Sequence, residues 1–300
     1  MNDLTPFRRA TPAMIVGRAF DGGPAPLGLS EPFALNGGDR LGPDGIAFDL
    51  LHEHQPAFVR WVTSSCQALI AAERPWFRAR PLLVTGAQGG GRTHAGWRLA
   101  KAADVTSVVL DLTNPLIAAS VASSGRVNET LWASPITIAM AAKRCANPVV
   151  SVIGIDVVAG DVAAGLVAMI DPATGRAWSE DRLETYMDFG EVTWILQCDD
   201  LNRVPEALRQ QAAHVRFDAF PSGIETTAAL SILLEVIENL GLDEADPALD
   251  WPNVVRHLGG YHRSAKDLYA RMVQAVIAAA SGPNADRQIT DDDHTDHVPF

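Results

Sequence analysis

Between residues 46 and 74 the apolar positions Phe48, Leu51, Phe58, Trp61, Val62 and Leu69 recur near the helical period of about 3.6 residues. Pro56 splits this stretch or opens its second helix. Beyond it, short apolar runs alternate with helical ones. Strands are predicted over 82–85, 105–111, 148–155, 192–198 and 214–217. Helices are predicted over 93–103, 137–145, 162–170 and 205–213. Thr113-Asn114-Pro115 reads as a turn leading into a stretch that contains Ser123-Ser124-Gly125-Arg126, and Asp171-Pro172-Ala173-Thr174-Gly175 reads as another. Asn147-Pro148 stops the helix before it. Strands alternating with helices predict an α/β fold, a parallel sheet covered on both faces.

From Ser222 the pattern changes to three helical stretches without strands. Residues 1–45, rich in Gly and Pro, show little periodicity and predict an extended arm, partly ordered against the body or a neighbouring subunit. Residues 286–300 carry five Asp against one Arg. Residues 283–300 therefore read as an acidic disordered tail, and His294 and His297 as solvated residues of it rather than as metal ligands. The expected organisation is an arm (1–45), an α/β core with leading helices (46–220), a helical unit (221–282) and the tail.

Composition narrows the function classes. Hydrophobic residues make up 47% of the 300, enough for a real core, and the net charge is −12. That balance argues against a nucleic-acid surface, which needs clustered Lys and Arg. Cys66, Cys145 and Cys198 lie far apart without metal-ligand spacing and read as free thiols of a reducing cytoplasm. No apolar run approaches the roughly 18 residues of a membrane span, and the N-terminus lacks the apolar stretch of a signal peptide. No membrane partner is expected.

The chemistry concentrates after the first sheet strand. Gly86-Ala87-Gln88-Gly89-Gly90-Gly91-Arg92-Thr93 has the spacing G-x-x-x-x-G-[basic]-T of a phosphate-binding P-loop, followed at once by a helix through His94. Such a loop turns successive backbone N–H groups into one concavity at a helix N-terminus, where they cradle phosphate oxygens. Thr93 supplies the hydroxyl that holds Mg²⁺ in such loops. Arg92 stands where a Lys is expected. Only three of the 24 Lys and Arg residues are lysines, so the chain prefers Arg generally. A planar guanidinium is nonetheless not equivalent to a point-charge ammonium.

Four stretches in order resemble the AAA+ ATPases, most of all the ATPase module of Lon-type proteases. GAQGGGRTHAGWRLA is similar to the Walker A loop and helix, and NPVVSVIGID stands at the Walker B strand. VTWILQCDDLNRVPEALRQQ resembles the sensor-1 strand and the helix ending in the arginine finger. SAKDLYARM resembles the sensor-2 start of the last lid helix. The likeness runs over 81–280. It implies a three-layer P-loop NTPase (AAA+) parallel sheet with a small C-terminal helical lid, ATP or ADP as ligand with Mg²⁺, and assembly with like or unlike AAA+ subunits. It implies nucleotide contacts from Gly86, Ala87, Gln88, Gly89, Gly90, Gly91, Arg92, Thr93, His94 and Lys266, and metal contacts from Thr93 and Asp156.

The departures from the family fall on its catalytic positions. In register, the Walker B Asp and Glu are Ile153 and Gly154; a shifted register offers Asp156 at the strand end. Sensor 1 is Asp199 instead of Asn, the finger position holds Gln211 with Arg209 nearby, and sensor 2 is Lys266. Asp156 and Asp199 are the candidate catalytic carboxylates, with Asp161 a further source. Little chain follows the last helix, so no Ser-Lys proteolytic domain is expected, and Ser264 and Lys266 at i, i+2 do not share a helix face.

Three readings follow. The first is an ATP-binding AAA+ module with weak or lost hydrolysis in a ring assembly. The second is an interaction scaffold that keeps the fold without nucleotide, which predicts Arg92 bridged to Asp156 or Asp199 in the phosphate concavity. The third is an active ATPase with relocated groups.

Overall fold

A computed structural model describes residues 11–50, 55–86, 88–122, 133–158, 160–219, 227–243, 245–258 and 264–281. Ala87, the Ser123–Arg126 stretch, His294 and His297 lie outside them. The strands in chain order are β1 (Ala13–Ile15), β2 (Gly17–Ala19), β3 (Pro32–Ala34), β4 (Leu82–Gly86), β5 (Ser107–Asp111), β6 (Val149–Ile153), β7 (Trp178–Glu180), β8 (Thr185–Met187), β9 (Thr193–Gln197) and β10 (Ala213–Phe217). The α-helices are α1 (Ile46–Asp49), α2 (Pro56–Ala71), α3 (Arg92–Ala102), α4 (Pro115–Val121), α5 (Pro135–Lys143), α6 (Gly160–Ile170), α7 (Glu206–Gln211), α8 (Thr227–Asn239), α9 (Trp251–Leu258) and α10 (Ala265–Ser281).

Five strands form one sheet in the order β10-β4-β9-β6-β5, every pair parallel. The chain leaves β4 for the far edge at β5, returns inward through β6 and β9, and crosses β4 to reach β10. Alternate residues feed opposite faces, as the pleat requires. Leu82 and Val84 pack with Phe58 of α2 and Leu99 of α3, whereas Leu83 packs on the other side with Met140 of α5 and Leu166 of α6. Burying such a Leu or Val is worth about 1.5–3 kcal/mol, and both faces of the sheet carry many. The result is a three-layer α/β arrangement of the general P-loop NTPase kind.

Helices α8, α9 and α10 enclose a third apolar cluster, with Ile232, Val236, Val254, Leu268, Met272 and Val276 at its centre. It meets the core along α3. His94 Nε2 lies 3.0 Å from Glu235 of α8, and Lys101 pairs with Glu238 at 2.6 Å.

The structure adds short pieces that the periodicity does not predict. Within the arm, β1 pairs with β3, and β2 joins β8 and β7 in a three-stranded antiparallel sheet. Asn147 fixes the arm to the core: its side chain accepts from the Asn36 amide and donates to the carbonyls of Asn36 and Phe77. Pro56 does open α2 at its first turn, while α1 is a single turn.

Candidate functional site

Four strands of the parallel sheet end at one open cleft of about 430 Å³. Open α/β sheets place ligands at this location, outside the carboxyl ends of the strands. Gln88, Gly89, Gly91, Arg92, Thr93 and His94 enter it after β4. Thr113 follows β5; Ile153, Gly154 and Asp156 come from the end of β6; Gln197, Cys198 and Asp199 come from the end of β9. Lys266, on the first turn of α10, closes the far side. The structure thus brings together most of the residues singled out from the sequence. Gly86 and Gly90 are not among the residues that line it.

The loop's path depends on its glycines. Gly86 has φ +126°, and a Cβ there would meet the Phe217 carbonyl oxygen at 2.1 Å. Gly91 caps α3 in the left-handed region, with φ 80°. Gln55, 1% exposed, ties the loop to the end of β10: its amide donates to the carbonyls of Gly90 (3.1 Å) and Asp218 (2.9 Å) and accepts from the Asp218 amide (2.9 Å).

Arg92 reaches across the cleft to the end of β9. Its Nη1 donates to the Cys198 carbonyl and its Nη2 to Asp199 Oδ1, both at 2.7 Å. Gln88 Nε2 donates to the other Asp199 oxygen at 2.9 Å. The Gln88 amide first, and then the Arg92 guanidinium, hold the Asp199 carboxyl below its usual range. Burial first, then the neighbouring Asp156 carboxylate, push the Cys198 thiol up to about 12. A thiol held protonated in this way is a neutral wall and not a nucleophile.

Asp156 is 8% exposed, and its Oδ2 accepts from the backbone amides of Asp199 (3.3 Å) and Asp200 (3.0 Å). It fastens the turn after β9 to the turn after β6. In one register of the resemblance the Walker B carboxylate positions fall on the last residue of β6, Ile153, and on Gly154; the shifted register falls on Asp156. Gly154 has φ +79°, and a Cβ there would stand 2.8 Å from the Thr113 Cγ2. The backbone itself leaves little place for a Glu. Arg209 of α7 pairs with Glu206 on its own helix.

Two polar residues at the site, Gln197 in the cleft and Gln55 beneath the loop, carry no motif in the sequence. Thr93 Oγ1 donates to Gln197 Oε1 at 3.1 Å, so the loop hydroxyl meets an amide from β9 rather than a carboxylate. Gln197 stands two residues after the buried Ile195, and period-two alternation places both on the α3 face of β9. Gln55 carries no sequence signal beyond preceding Pro56.

No protein-family model matches the chain. It is 26% identical over 157 residues to the Lon protease of Mycolicibacterium smegmatis, across 51% of this chain and 20% of that protein. It is 25% identical over 207 residues to the Lon protease of Frankia alni, across 66% of this chain and 24% of that protein. The matched stretches thus span about a fifth to a quarter of the length of these curated relatives. The chain is a distant relative of Lon proteases over that part of their length, and its parallel α/β core agrees with that relation.

Proposed function

We propose that the chain is an AAA+-like nucleotide-binding subunit that holds ATP or ADP at the β4 loop and has weak or lost hydrolysis. In this reading it serves as a subunit or regulator of an assembly of AAA+ subunits, with α8–α10 as the lid. The observation that carries the proposal is the contrast within the cleft. The glycine-shaped loop and Thr93 are in place, and Lys266 faces them. The positions for activating water hold Ile153 and Gly154. Loss of a transition-state arginine alone typically costs about 10³–10⁵ in rate, and Gln211 stands at that position.

A second reading, a scaffold that keeps the fold without nucleotide, draws on the Arg92–Asp199 bridge. That pair gives the loop's cation an internal counter-ion. Asp199 is 53% exposed in its side chain, however, so an incoming phosphate can displace it.

Calorimetry and phosphate release with ATP and ADP separate the readings. The expected result is binding without release above the blank. Absence of both heat and thermal shift sinks the nucleotide reading and leaves the scaffold. Asp199→Asn removes a negative charge beside the phosphate site and is expected to tighten nucleotide binding about tenfold. The scaffold reading expects no response to that change.

A further inference from the structure

Resting on the nucleotide reading above, we infer that the cleft takes the phosphates of a nucleoside diphosphate or triphosphate as a free anion, without a divalent cation. The donor set carries this. Mg²⁺ demands a near-octahedral shell of oxygens and is usually fixed by one or two carboxylates together with the phosphates. Among the described residues no group of three or more His, Cys, Asp and Glu side chains is placed to hold a metal. Two carboxylates are among the described residues that line the cleft, and both accept hydrogen bonds from the protein. Asp156 Oδ2 accepts two backbone amides, and the Asp199 oxygens accept from Arg92 and Gln88. The strand end nearest them offers Ile153 and the left-handed Gly154.

Lining the same cleft stand the donors Gln197, Arg92 and Lys266. Gln197 is 3% exposed and lines the cleft, and its Nε2 is buried without a hydrogen-bond partner. An unmet buried N–H is costly, and the group that satisfies it is an acceptor oxygen, not a cation. Its own Oε1 already takes the Thr93 hydroxyl proton. Arg92, Lys266 and the start of α3 add positive potential to the same space. Gln197 and Thr93 stand together where a cation site would need a carboxylate beside the hydroxyl. The fit is to phosphate oxygens and not to magnesium.

The test is calorimetry of ADP binding to the full 300-residue chain, in excess EDTA and in millimolar Mg²⁺. Binding in EDTA is expected to be at least as tight as in Mg²⁺, because the metal only draws free ADP into complex. Tightening by Mg²⁺ beyond about twofold overturns this inference and leaves the nucleotide reading standing. No heat in either condition overturns both. Gln197→Glu, which places a carboxylate beside Thr93, is expected to weaken ADP binding in EDTA at least about tenfold and to regain much of it with Mg²⁺. A folded Gln197→Glu protein that binds ADP without metal as wild type does overturns the role given to the Gln197 amide.

Discussion

The ends of β4 and β6 lie one strand apart in the same sheet and deliver their chains to the same cleft. Each turns on a glycine with positive φ, and the two turns place different kinds of group at the cleft. At β4, Gly86 passes so close to Phe217 that only a residue without a side chain fits. In the proposed reading the groups it positions are backbone N–H donors, which side-chain substitutions other than proline leave in place while the path holds. At β6, the turn falls on Gly154, where the resemblance calls for a Glu, and Thr113 fills the space beside it. There the chemistry that the proposed reading finds missing would have to come from side chains. In the proposed reading, binding rests on main-chain geometry and hydrolysis on side chains.

The largest way to break this comparison is at the loop. Gly86→Ala forces a Cβ against a backbone oxygen at 2.1 Å, in a conformation that L-residues rarely adopt. Neither the strand nor its neighbour β10 can yield cheaply. The expected loss is about 3 kcal/mol or more in urea unfolding, with loss of nucleotide binding. A loss below about 1 kcal/mol would show that the loop tolerates another path.

The same test at β6 is smaller and has a functional arm. Ile153→Asp with Gly154→Glu installs the residue types that one register of the resemblance calls for. The left-handed Gly154 position predicts a stability cost of about 1–3 kcal/mol and no gain in phosphate release. If the double variant releases phosphate faster than wild type, the backbone at β6 is not the obstacle.

How far the sequence reveals this molecule follows the same division. The central strands β4, β6 and β9 are apolar runs buried along most of their length, which makes them legible from composition; the edge strands β5 and β10 alternate buried or half-buried with exposed positions. The loop is legible because its glycines and Thr93 fall at fixed spacing. Strands β1, β2, β3, β7 and β8 have three residues each, too few for a period of two to emerge. They are specified by distant partners such as Asn147, which bonds a segment 111 residues away. The Arg92–Asp199 bridge lay within reach, because the two unusual residues are of opposite charge. The Gln55 clamp did not, since a lone Gln before a Pro has many uses.

The smallest expected effect concerns that bridge. Asp199 is held below its ordinary value of 3.8 by Gln88 and Arg92. A depressed carboxyl contributes stability that is complete above its unfolded value and is lost as pH falls through the lowered folded one. With Asp199 half exposed, water screens the pair, and its worth is well under about 1 kcal/mol. Glu180 works in the opposite sense. Burial raises its carboxyl against the bonds from Thr137 and Ser134, so its contribution is complete below 4.5 and fades as pH rises through the raised value. Comparing wild type with Asp199→Asn cancels Glu180, because both proteins carry it. The gap between their urea midpoints is expected to be small near neutral pH, to close as pH falls below 3.8, and to narrow in high salt. A gap that survives both acid and salt would mean that Asp199 holds the end of β9 through packing or neutral hydrogen bonds. The charge at the loop would then be set by Arg92 alone, and the contrast between the two strand ends would rest on β6 only.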